Sequence, residues 1–106
     1  MSRYADPMEI RVHLPDMEPP SSITEVMVAL RSQKLEPTHE KKDWGDWITF
    51  ADKRTVVSIE SMRGLASSAT VEHEEDDGDE INMRILAAFG KLGWYGSDEE
   101  GEHRLD

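Results

Sequence analysis

The sequence predicts an α+β domain in which an antiparallel sheet of four strands, or five, carries two helices on one face in the order β-α-β-β-β-α. Three observations predict it. The chain opens on a period-two alternation, with Met8, Ile10, Val12 and Leu14 pointing one way and Glu9, Arg11 and His13 the other. Three runs rich in β-branched and aromatic residues, Trp47 to Ala51, Thr55 to Met62 and Leu65 to Glu74, are spaced as an antiparallel meander. Two stretches, one after Ser22 and one after Asp79, carry apolar residues at helical spacing.

The first strand ends before Asp16 to Pro20, because two prolines cannot continue a ladder. Ser22-Ile23-Thr24-Glu25 is a capping box. The serine hydroxyl can accept from the Glu25 amide while the Glu25 carboxylate reaches back to the Ser22 amide. Ile23, Val26, Met27 and Leu30 then form one helical stripe. The helix is predicted to end near Gln33 or Lys34, since Pro37 pushes Glu36 out of helical geometry.

Thr38 to Lys42 is polar and fits an edge strand or a loop equally. Asp43-Trp44-Gly45-Asp46 reads as a turn with Gly45 free to take a positive φ. Asp52-Lys53-Arg54 is a tight connection and Met62-Arg63-Gly64 a second turn. In the strand that follows, Leu65, Ser67, Ala69, Val71 and His73 share one face. Glu75-Asp76-Asp77-Gly78 is a charged linker. The helix beyond it has Asp77 or Asp79 as its cap. Its stripe is Ile81, Ile85, Ala88, Phe89 and Leu92, and Gly93 fits the left-handed position past its last turn. The helix stripes are expected to lie on Ile10, Val12, Phe50, Val57, Ile59 and Val71. Residues 1–96 form a single domain on this reading, and 97–106 an acidic disordered tail. The far face of the sheet is left wet or covered by a partner.

At 106 residues the chain fits one domain able to bury its own core, and it holds no cysteine for disulfides, thiolate metal sites or thiol nucleophiles. The formal charge of −11 comes from 23 acids and 12 bases and repels phosphate backbones, so direct binding of nucleic acid is disfavoured. The charge is uneven: residues 72–80 hold seven acids and residues 98–106 five, which leaves the rest of the chain close to neutral. No apolar run approaches the roughly 20 residues needed to cross a bilayer, so no membrane association is predicted. The first residues carry no apolar stretch of the secretory kind. The expected compartment is the cytoplasm.

The densest chemical signal is the run from Glu72 to Glu80. Oxygen ligands cluster for hard cations, so Glu74, Glu75, Asp76, Asp77 and Asp79 are candidate contacts for a weakly held cation or a basic partner. The EF-hand template does not fit, since aligning Gly78 puts His73 at the first ligand position and Arg84 at the bidentate one. The simpler reading is a solvated loop leading into a helix. His13, His39, His73 and His103 have no metal-ligand spacing, and no nucleophile elbow or phosphate-cradling glycine loop is present. Neither catalysis nor a metal or cofactor is predicted. Trp44, Trp47, Trp94 and Tyr95 are candidate partner contacts, because Trp and Tyr anchor interfaces; the alternative is that each ring caps an end of the core.

The leading expectation is therefore a non-enzymatic interaction or accessory domain that binds a protein partner or forms a homodimer through its sheet. Two alternatives stand beside it. One is an acidic decoy, a nucleic-acid mimic that offers carboxylates to a basic protein. The other is a small-ligand sensor that uses the open sheet face.

Overall fold

The computed structural model describes residues 8–15, 17–51, 54–73, 79–98 and 101–105. The elements in chain order are β1 (Met8–His13), β2 (Ser21–Ser22), α1 (Ile23–Ser32), β3 (Thr38–Lys42), β4 (Gly45–Thr49), β5 (Thr55–Met62), β6 (Leu65–His73), α2 (Asp79–Lys91), β7 (Tyr95–Asp98) and β8 (Gly101–Arg104). The fold is α+β with an antiparallel sheet. Its strand order is β3-β4-β5-β6-β1-β7-β8, with the short β2 paired to the start of β6.

One face of the sheet is covered by both helices. Val12, Ile48, Val57, Ile59, Ala69 and Val71 project from it into a single core with Val26 and Leu30 of α1 and Ile85, Ala88 and Phe89 of α2. The helices also pack against each other. Cross-strand register explains the common face: Ile48, Val57, Val71 and Ile10 stand opposite one another in one row, and Asp46, Ile59, Ala69 and Val12 in the next. The other face carries Trp47, Ser58, Thr70, Arg11 and Ser97 in one row, a mixed polar surface.

Both helices end alike. In α1 the Lys34 amide donates to the Arg31 carbonyl and the Leu35 amide to that of Leu30; in α2 the Gly93 amide donates to Gly90 and the Trp94 amide to Phe89. These are Schellman ends, each closed by an apolar contact one residue beyond the left-handed position. The α2 contact is Trp94 on Phe89, with ring centroids 4.8 Å apart. The left-handed position is Gly93 in α2 but Lys34 in α1, at φ 64°. The capping box at Ser22 forms with both reciprocal bonds at 3.0 Å.

The structure corrects the sequence expectations at two places here and decides between the two readings of Thr38–Lys42. Tyr95–Asp98 and Gly101–Arg104 pair with each other as antiparallel strands rather than belonging to a tail, and Arg11, Val12 and His13 of β1 pair with Ser97, Gly96 and Tyr95. Backbone pairing needs no apolar side chain, and β1 would otherwise present a bare edge. Thr38–Lys42 resolves as an edge strand against β4. The second correction is a bulge. Glu60 pairs with Ser68 but Ser61 pairs with Ala66, so Ser67 is an extra residue in β6. Leu65 and Ser67 therefore leave the face they were expected to share with Ala69 and Val71. Ala66 is buried in their place, and both are exposed.

Candidate functional site

Three large exposed apolar side chains, Trp44, Met62 and Leu65, gather at the tip of the β5–β6 hairpin. Arg63 at φ 56° and Gly64 at φ 78° form a two-residue turn with both central residues left-handed, the requirement of a type I′ hairpin. The Ile23 amide donates to the Gly64 carbonyl at 2.9 Å, which ties the start of α1 to this turn. The Leu14 amide donates to the carbonyl of the bulged Ser67 at 2.9 Å. The tip thus separates two concave surfaces, one on each side of the hairpin.

The inner one is a cleft of about 560 Å³ between α1, β3 and the turn. It is lined by Thr24, Arg31, His39, Lys41, Asp46 and Arg63, with Ile23 and Met27 as its apolar wall. Asp46 lies at its floor. It projects from β4 on the helix-covered face, in the row of Ile59 and Ala69, and is 1% exposed. His39 and Lys41 reach it from the edge strand. One carboxylate oxygen, Oδ1, accepts from His39 Nε2; the other, Oδ2, accepts from the Ser61 hydroxyl and lies 3.7 Å from Lys41 Nζ. A carboxylate only accepts, so Nε2 carries the proton in that bond. Burial pushes the Asp46 carboxyl up. The Ser61 hydroxyl, the His39 imidazole and the Lys41 ammonium outweigh it, and the net displacement is downward.

This constellation contains Ser, His and Asp but is not an acyl-transfer triad. There the imidazole bridges the serine and the carboxylate. Here the carboxylate bridges the other two, so His39 is not placed to take the Ser61 proton. Both oxygens are occupied by donors, and the carboxylate instead fixes His39, Ser61 and Lys41 in place. Among the described residues no group of three or more His, Asp or Glu side chains could hold a metal ion.

The outer surface is a mainly apolar groove of about 840 Å³ lined by Pro20, Trp44, Met62 and Leu65 together with the polar Glu60, Ser61, Arg63 and Ser67. Trp44 is 49% exposed, Met62 77% and Leu65 46%. Trp47 meets Trp44 edge to face with centroids 6.3 Å apart, and Lys42 Nζ lies 6.0 Å from the centre of the Trp47 ring. The T-shaped pair holds Trp44 against the sheet at the mouth of the groove.

The four aromatic candidates therefore separate. Trp44 lines the groove and Trp47 supports it. Trp94 is 1% exposed, donates its indole N–H to Ser21 Oγ at 3.0 Å and caps the core, so it offers no surface to a partner. Tyr95 follows on the opposite face, half-buried. It stands in the row of Gly45, Glu60, Ser68 and His13, roughly 19 Å across the sheet from β4 at about 4.8 Å per strand. Of the acidic candidates, Glu74, Glu75, Asp76 and Asp77 lie outside the described residues, and Asp79 opens α2.

The sequence reading did not find the Asp46 cleft. A signal was present: Asp46, Ile48 and Phe50 alternate, so the period-two pattern puts an aspartate where an apolar residue is due. Assigning Asp46 to the turn hid it. His39 and Lys41 carried no such signal, because their common direction exists only once Thr38–Lys42 is a strand.

No described helix is long and apolar enough to cross a membrane. Comparison with protein-family models, with curated proteins and with solved structures found no match.

Proposed function

We propose that this chain is a non-enzymatic interaction domain that docks an apolar segment of a different protein in the groove beside the β5–β6 tip. The observation that carries this reading is the grouping of Trp44, Met62 and Leu65, three large exposed apolar side chains, around one concavity. Such residues exposed singly are ordinary; exposed together around a groove they mark a contact surface. The β6 bulge supports it, since it is what turns Leu65 outward beside Met62.

Self-association through the sheet is less well supported. The edge strand β3 reads Thr-His-Glu-Lys-Lys, the kind of charged edge that discourages strand pairing. A two-fold dimer would set groove against groove, and two concave surfaces leave a void between them. The decoy reading needs acids on a rigid face, and most of the excess acids lie in residues 72–80 and 98–106.

The test is selection of a random peptide library against the protein, with the double variant M62E/L65E as counter-target. Binders should carry bulky apolar residues, shift the amide resonances of Trp44 and Leu65, and lose roughly tenfold or more in affinity on the variant. A library that yields no binder, or binders indifferent to both substitutions while the variant keeps its fold, refutes the proposal. Light scattering that shows a stable dimer would replace it with the homodimer.

A further inference from the structure

The cleft on the inner side of the same tip has a different chemistry, and we infer that it binds a small, multiply charged oxyanion. Its lining brings together Arg31, Lys41 and Arg63 with a single carboxylate, Asp46. That is three fixed positive charges against one negative, before His39 is counted. The surplus stands out in a chain whose acids outnumber its bases by 23 to 12.

Asp46 offsets one of the three cations, the lysine beside it, and not the two arginines. It is buried beneath the cations and its oxygens are taken by His39, Ser61 and Lys41. Its part is to position: it holds the His39 ring and draws the exposed Lys41 ammonium over the floor. The two arginines remain available. Among the described residues Arg11 and Arg84 have carboxylate partners, at Glu9 and Glu80, while no carboxylate lies within ion-pair distance of Arg31 or Arg63. These two come from separate elements, the last turn of α1 and the β5–β6 turn, and both face the cleft. Arginine forks bind phosphate and carboxylate oxygens in pairs, and a space of about 560 Å³ suits a metabolite-sized ligand. A free cation is an unsuitable occupant, since it would meet three like charges and a carboxylate already bonded through both oxygens.

Inorganic phosphate and citrate are the two probes, titrated separately into the full chain at constant ionic strength and followed by amide resonances. Saturable shifts confined to Thr24, His39, Lys41 and Gly64 are expected with at least one, and which one binds assigns the ligand as a phosphate or a polycarboxylate. The variant R31Q/R63Q, with its circular dichroism unchanged, should weaken binding roughly tenfold or more. The variant M62E/L65E should leave it intact, which separates this site from the groove. Shifts that stay linear for both probes, shifts scattered over the surface, or affinity unaltered in R31Q/R63Q would overturn the inference.

Discussion

Replacing Asp46 by asparagine isolates what its buried charge contributes. The carboxylate is 1% exposed and receives two side-chain hydrogen bonds, from His39 and Ser61. Hydrogen bonds to a charged group contribute about 1.5–3 kcal/mol each, and the pair with an exposed lysine at most about 1 kcal/mol. Asparagine keeps one acceptor oxygen and removes the penalty of burying a charge, so the net loss should be about 2–3 kcal/mol. For a domain of this size that lowers Tm by roughly 10–20 °C. The pH dependence supplies the sharper test. The folded carboxyl titrates below its ordinary value. The native state thus holds fewer protons than the unfolded chain in that window, and stability rises with pH there. The contribution is fully present above the unfolded value of about 3.9 and is lost as pH falls through the lower folded value. Urea titrations of both proteins, read by the fluorescence of buried Trp94, should show a gap that is constant near neutrality and closes in acid. A D46N protein as stable as the parent, or a gap that does not change with pH, would refute the assignment of an ionised, stabilising carboxylate.

Three further substitutions test the frame around the two surfaces. A Cβ on Gly45 would stand 2.0 Å from the Ile59 carbonyl oxygen, so G45A should destabilise the chain by at least about 3 kcal/mol in the same urea assay. Lys34 occupies a left-handed position at φ 64° that glycine fills without strain, and K34G should raise stability by about 0.5–1 kcal/mol. Ending the chain after Trp94 removes the strand that pairs with Arg11, Val12 and His13. The shortened protein should lose about 2–3 kcal/mol and aggregate more readily on heating, whereas an unchanged melt would mean that β7 and β8 contribute nothing.

How far the sequence was legible depended on whether a feature was local. The capping box at Ser22 and the stripes Ile23–Leu30 and Ile81–Leu92 are written in residues three or four apart, and both helices form where the spacing puts them. β5 matches Thr55–Met62 residue for residue for the same reason. β7 was illegible because an edge hairpin is held by its backbone, and Tyr95-Gly96-Ser97-Asp98 has no apolar alternation to announce it. Trp94 and Tyr95 looked like one aromatic pair in the sequence. The turn out of α2 sends one ring into the core and the other to the opposite face.

The bulge at Ser67 accounts for both what was missed and what was misplaced. A strict alternation back from Val71 and Ala69 brings Leu65 inward, and nothing in Leu-Ala-Ser-Ser-Ala marks which residue is the extra one. Inserting it on β6 alone leaves the alternation of β5 intact, so Ser61 continues inward after Ile59 and reaches the Asp46 carboxylate. The same insertion turns Leu65 outward beside Met62 and buries Ala66 against the core. One residue therefore shapes both surfaces at the hairpin tip: it makes the apolar groove outside without disturbing the polar floor inside. That is why the two sites lie back to back across a single pair of strands, with Arg63 at the rim of each.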